Sequence, residues 1–327
     1  MSVSTSQNSY LDAVTAAQML ELRGMLSQGK TMFVDGTNGS DANNGYYGWA
    51  NAKATIQAAV TACAAGDVIY IAPKLITDFT GDPTSYAETI IIPATKMGIS
   101  LIGISRGRTQ GGLPQIKPTS TASYLITVRA AGCMIANLGI NGINSTAGGI
   151  LLDDDNSTKT AFGTTIINNH FKNCVGSSAT NAATGGAINW CTAGNAWQVY
   201  IGNNRFQKNV GDIVLLGTSN TVPQDVIIEN NVFSGPAASV DCNLYLAGGS
   251  GMNGVIIQYN TFPCWPAVGS GTNVMPVKLT GCVGTLQGNM FGCTGKTFGA
   301  AANALVPATV LMAGNYQESG TTFIART

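Results

Sequence analysis

An asparagine followed two places later by phenylalanine recurs down the second half of the chain. Asn169, Asn204, Asn231, Asn260 and Asn289 are followed in this way by Phe171, Phe206, Phe233, Phe262 and Phe291. A degenerate copy, MAGNYQ, adds Asn315, and the intervals are 35, 27, 29, 29 and 26 residues. Three places before each asparagine stands an apolar residue: Ile166, Ile201, Ile228, Ile257, Leu286 and Met312. The alternation in VIIENNVF and VYIGNNRF has the two-residue period of a strand. A second column of short strands opens in GGILLDD, GGAINWC, GDIVLLG, CNLYLAG and MPVKLTG. Each repeat thus holds at least two short strands separated by Gly, Asn, Ser and Thr, with no helical period. A helix per repeat would indicate a leucine-rich horseshoe, and four strands over a longer period would indicate propeller blades. The observed pattern predicts an all-β chain, a single-stranded right-handed parallel β-helix with one coil per repeat.

A coil of this kind cannot bury its own apolar edge. It stacks on its neighbour about 4.8 Å away, so that like side chains lie over like. Isoleucines then fill the core, and the phenylalanines stack. Asn169, Asn204, Asn231, Asn260 and Asn289 form an internal ladder of amides. Roughly nine coils between residues 68 and 327 predict a rod about 40–45 Å long.

The stretch FVDGTNGSDANNGYYGWANAKATIQAAVTACAAGDVIYIAP, residues 33–73, resembles the opening segment of pectate-lyase-like β-helix proteins. Those commonly begin with a D-G-x-x-G-x-D-x-x-N-G loop, an A-T-I-Q-x-A-V helix and G-D-x-I-x-I-x-P. The resemblance implies that residues 54–65 form a short helix capping the open end of the coil. The family's next motif, here SYAETI at 85–90, is delayed by an insertion, KLITDFTGDPT, at 74–84. Within the superfamily the chain is closest in character to phage tailspike, head-fibre and decoration proteins. The fold alone is nearly silent on activity. The chain divides into an N-terminal arm (1–30), an opening loop and cap (31–73) and the β-helix with its C-terminal cap (74–327). The arm reads as one amphipathic helix, with Leu11, Val14, Met19, Leu22 and Met25 on one side. It serves either as a second cap or as a docking or oligomerising arm.

Only 10% of residues are charged, with 16 Lys and Arg against 16 Asp and Glu. That balance excludes an electrostatic footprint for nucleic acid or an anionic membrane. No run of about 18 apolar residues is present. The start, MSVSTSQNSY, lacks the basic and apolar regions of a secretory signal, which points to synthesis in the cytoplasm. The eight cysteines form no C-x-x-C pair, and His170 is the only histidine, so no zinc site is expected. Small apolar side chains filling a core account for them. No cofactor is expected. Calcium is the alternative, at Asp153–Asp155 with Asn156 or in the loop holding Asp35, Asp41 and Asn43. Both read more simply as turns.

The resemblance implies that polysaccharide cleavage would need calcium-holding aspartates with a basic residue, or a carboxylate pair. The lyase arginine motif and the hydrolase Asp and Gly-His-Gly motifs are not found. Asp212 and Asp241, in neighbouring coils, are the candidate pair, expected within ~5–10 Å. Asp153 is a further acidic candidate, with Lys208, Lys278 and Arg205 as basic support. His170 is expected to point outward as a solvated side chain. Trp190, Trp197, Tyr245 and Trp265 are candidate sugar platforms, with Tyr200 and Tyr259 in similar settings. In the second strand column Ile150, Ala187, Ile213, Leu244 and Val277 are expected inside. Leu151, Ile188, Val214 and Tyr245 then make an outward apolar row, followed by Lys278, that suits a subunit interface.

Three functions follow. The favoured one is a non-enzymatic virion protein: a homotrimeric spike, fibre or capsid decoration, joined to other virion proteins through its N-terminal helix and binding host surface glycans. The second is a polysaccharide lyase or glycoside hydrolase with an acidic groove. The third is an exported carbohydrate-binding or adhesive protein, which would place it outside the cell.

Overall fold

The computed structural model describes residues 29–74, 84–104, 112–119, 124–143, 148–153, 161–175, 186–190, 196–216, 223–234, 242–264, 275–293 and 306–317. The chain winds through three faces in a fixed order, and every strand pairs in parallel with the strand one coil away. The first face begins with Thr31–Val34, Val68–Ile71, Ser100–Gly103 and Met134–Ala136. It continues through Thr165–Ile167, Tyr200–Gly202 and Ile227–Glu229 to Val310–Ala313. The second face is a nine-stranded sheet from Tyr86–Ala87 to Tyr316–Gln317. The third runs from Ile90–Ile92 through Tyr124–Val128, Gly148–Leu152, Ile188–Trp190 and Ile213–Leu216. Two long strands, Cys242–Gln258 and Met275–Gln287, bend from the third face onto the first and join these two faces into one 15-stranded sheet. The molecule is a parallel β-helix.

The register explains the repeat. Ile69, Leu101, Ile135, Ile166, Ile201, Ile228, Ile257 and Leu286 lie in one column, and all are buried. Fully burying one such side chain is worth about 1.5–3 kcal/mol, so the column is a major part of what holds the coils together. On the second face Phe171, Phe206, Phe233, Phe262 and Phe291 stack with ring centroids 4.5–5.0 Å apart. That distance is the rise of one coil.

The open N-terminal end is closed by the helix Ile56–Ala62, which turns Ile56, Ala59 and Val60 into the core. Thr55 accepts a hydrogen bond from the Ala58 N–H as its N-cap. The Glu88 carboxylate accepts two more, from the Ile56 and Gln57 N–H groups at 3.0 and 2.9 Å. The SYAETI motif thus fastens the cap to the first coils. Four cysteines, Cys63, Cys133, Cys174 and Cys282, are buried. The proposed helix in residues 1–30 falls, but for its last two residues, outside the described residues.

One expected register is corrected. Ile150 pairs with Ile188, and Ile188 with Ile213. Ile188 is therefore an inward core residue, 0% exposed, and Asn189 occupies the outward place beside Leu151 and Val214. Aligning GGAINW on GGILLD slipped this coil by one residue, and a one-residue slip moves a side chain to the opposite face. Val214 does face outward but is buried at 1%. The outward row is thus interrupted by an amide and partly covered within the protomer.

Candidate functional site

From Asn168 to Asn315 the bend from the first face to the second is made by two consecutive residues in each coil, and they do opposite things. The second of the two is the ladder asparagine. Each of Asn169, Asn204, Asn231, Asn260 and Asn289 donates its side-chain amide to the Oδ1 of the next, ending on Asn315, at 3.0–3.2 Å. The same amides donate to the carbonyls of Ile135, Ile166, Ile201, Ile228 and Ile257. Each next Oδ1 also accepts the asparagine's own backbone N–H, and all these residues are buried. Inside the bend every polar atom is consumed, as burial requires.

The first of the two residues lies in the left-handed region. Asn137, Asn168, Asn203, Asn230 and Tyr259 have φ of 57, 57, 56, 55 and 55°, and Gly288 and Gly314 follow at 61°. Asn and Gly are the residues that tolerate this conformation. Tyr259 is the exception in the column, and a bulky residue held there costs about 1–2 kcal/mol. Its side chain lies against the next coil: a Cβ at Gly288 would sit 2.6 Å from Tyr259 Cε1. The ring is nonetheless 57% exposed.

Beside this column lies a cleft of about 230 Å³ lined by Asn168, Asn203, Asn230, Arg205 and Val232. Asn203, Asn230 and Arg205 are exposed, and no described residue hydrogen-bonds to the side-chain amides of Asn203 or Asn230. On the first-face flank the Tyr200 hydroxyl donates to Glu229 at 2.6 Å. Gln258 donates to the other Glu229 oxygen, and Gln287 to Gln258. Burial and then the Glu229 carboxylate push the Tyr200 hydroxyl up to about 12, so it stays a donor at neutral pH. The corner offers a column of amides with Arg205 on its second-face side and, one coil beyond Asn230, the exposed Tyr259.

The sequence candidates fall elsewhere. Asp212 is not on a surface groove. It is 2% exposed and accepts hydrogen bonds from Asn209 and Asn243 at 2.8 and 2.7 Å. Burial pushes its carboxyl up to about 7 against those two donors. Asp241 lies outside the described residues, so the pair is not assembled here. Asp153 accepts from the Arg129 guanidinium at 2.8 Å in a partly exposed ion pair. Asp35 closes its own turn on the Thr37 and Asn38 N–H groups, and Asp41 binds the Ala54 and Thr55 N–H groups. No group of three or more potential metal ligands occurs among the described residues.

Trp190 is a core residue, 3% exposed, whose indole donates to the Ala196 carbonyl, so it is no sugar platform. His170 faces outward by alternation but is buried at 5%, not solvated. Trp197 is 39% exposed, on the opposite side of the first face from the groove. Tyr245 is half-buried, with the Lys278 ammonium 4.7 Å from its ring centre. Trp265 lies outside the described residues. The outer amides escaped notice although their signal was in plain view: the doubled asparagines Asn168-Asn169, Asn203-Asn204 and Asn230-Asn231.

Among solved structures the chain is similar to pectate lyase Pel9A, at a TM-score of 0.51 and 14% identity, over 90% of this chain and 80% of that one. It also matches ORF18 of Geobacillus virus E2 at a TM-score of 0.39 and 14% identity, over 94% and 65%. The Dettilon tailspike protein gp208 matches at a TM-score of 0.35 and 15% identity, over 80% and 64%. No family model and no curated protein matches the sequence. At these identities the likeness is one of fold, that of the parallel β-helix, an architecture on which many activities have been built. No helix among the described residues is long and apolar enough to cross a membrane.

Proposed function

We propose that the protein is a non-enzymatic, glycan-binding β-helix of a virus particle, a spike, fibre or capsid decoration that holds surface polysaccharide in the corner groove. The observation that carries the glycan reading is Tyr259. It is the one aromatic residue in a left-handed column otherwise made of Asn and Gly, and its ring is exposed at the end of a row of amides. Strain kept at an exposed position points to a use for the side chain. A tyrosine ring stacks on the apolar face of a sugar, and side-chain amides pair with hydroxyls.

The virion setting rests on the low charge and on the missing lyase and hydrolase motifs. In that setting the protein is a homotrimer, attached to other virion proteins through residues 1–30. Light scattering on the full chain and on a chain lacking residues 1–30 tests both ideas. A monomer in each case removes the assembly.

A cleaving enzyme is the second reading, favoured by Glu229 on the first face, one residue before the corner Asn230. Against it, both Glu229 oxygens are engaged by Tyr200 and Gln258. The deciding experiment incubates the protein with a panel of bacterial surface polysaccharides and follows retention and products together. Retention without new reducing ends or unsaturated sugars supports the proposal. Release of either product makes the protein an enzyme, and no retention of any glycan removes the glycan reading.

A further inference from the structure

The cleft at the corner is a small grid of two columns. Asn168, Asn203 and Asn230 follow one another coil by coil in the left-handed column. Two residues further along each of these coils, on the second face, stand His170, Arg205 and Val232, paired with one another in register. His170 is buried, whereas Arg205 and Val232 are exposed and line the cleft. Asn203 therefore shares its coil with Arg205, and Asn230 shares the next coil with Val232. Asn169 and Asn204 also line the cleft, but their amides are given to the ladder. Among the described residues that line it, Arg205 alone is charged, and it takes part in no ion pair with a described residue.

Resting on the glycan reading, we infer that this cleft is a subsite for a single acidic sugar whose carboxylate is held by Arg205. A guanidinium meets a carboxylate through two parallel hydrogen bonds, which fix orientation as well as place. The Asn203 and Asn230 amides each offer a donor and an acceptor to ring hydroxyls. Val232 presents methyl groups, which suit the C–H face of the ring and not its charged end. A neutral sugar in the same place forms only hydrogen bonds of ordinary strength, about half that of charge-assisted ones. At about 230 Å³ the cleft is smaller than the roughly 300–1,000 Å³ that encloses a drug-sized ligand, so it takes one ring and leaves the neighbouring sugars outside.

Titration of the full chain followed by NMR tests the inference with three probes: methyl glucuronide, methyl glucoside and acetate. Wild type is expected to bind the glucuronide at least about tenfold more tightly than either the glucoside, which lacks the carboxylate, or acetate, which lacks the ring. Arg205→Met should abolish the preference over the glucoside, with an unchanged melting temperature to show that the variant folds. In wild type the same preference should shrink as salt is raised from about 0.02 to about 0.5 M, because the pair is exposed to solvent. Equal binding of glucuronide and glucoside, a preference that survives Arg205→Met, or one that ignores salt overturns the acidic subsite. Acetate bound as tightly as the glucuronide reduces the site to a bare anion contact and overturns it too. If no probe binds while the polysaccharide panel still shows retention, the subsite falls and the glycan reading stands. Failure across that panel takes both.

Discussion

Two adjacent residues at the same bend, Asn230 and Asn231, show how one amino acid serves opposite purposes. Asn231 is 1% exposed and gives its amide to Asn260 and to the Ile201 carbonyl. Asn230 is exposed, holds φ at 55°, and has a side-chain amide that no described residue takes. The backbone decides the difference. A residue in the left-handed region throws its side chain out of the coil, and the next residue, back in an extended strand, throws its own inward. Inside the bend, polar groups are tolerated because the ladder amides satisfy each other. Outside, they face solvent.

The largest test of that contrast exchanges the two. Asn260→Leu leaves the Asn231 backbone N–H without its acceptor and takes one hydrogen bond each from the Asn231 amide, the Ile228 carbonyl and the Asn289 Oδ1 in a dry turn. Each buried group left unpaired costs about 1–3 kcal/mol, so a loss of at least about 3 kcal/mol is expected from denaturant unfolding. Asn230→Gly removes an amide only one residue from the ladder, and glycine accepts the backbone there. It should unfold within about 0.5 kcal/mol of wild type while weakening glycan retention.

Asp212 sharpens the comparison from a third position, an interior polar group that titrates. Its carboxyl is raised to about 7 from a usual value of 3.8, so between those pH values the folded chain holds a proton that the unfolded chain has lost. Stability therefore falls as pH rises through this window and levels off above it. Asp212→Asn should lose that downward slope, whatever its absolute stability, when unfolding is measured at a series of pH values. A slope that persists assigns the effect to other groups.

Much of the fold was legible, and the reason is the ladder itself. An inward asparagine and an inward phenylalanine repeat because each must match its neighbour one coil away, so the pattern is written in the letters. The helix at Ile56–Ala62 was legible for a similar reason, since its cap and apolar positions are local. The third face was read less well. Its strands are separated from the others by turns of varied length, and Ile188 was placed one residue out of phase. The groove was not read at all. Nothing forces an outer side chain to repeat, and only the backbone angle marks the column. Asp212 misled because its partners, Asn209 and Asn243, stand 3 and 31 residues away.

Smaller effects probe the outer column alone. Tyr259→Gly relieves the left-handed strain, so stability should hold or rise by up to about 1 kcal/mol. Glycan affinity should fall about tenfold, the opposite sign. A variant that loses stability and keeps affinity would make the ring a packing element. Gly288→Ala is subtler. Its Cβ would meet the Tyr259 ring at 2.6 Å, on a backbone with φ of 61°. A cost of about 1 kcal/mol in thermal unfolding is expected, with a displaced ring and weakened binding.

The most direct measurement is a crystal structure of the full chain soaked with an oligosaccharide that it retains in solution. The account predicts sugar density along the corner, one ring over Tyr259 and its neighbours over Asn230 and Asn203 at coil spacing. A retained oligosaccharide bound on another face, with the corner open to solvent, would contradict it.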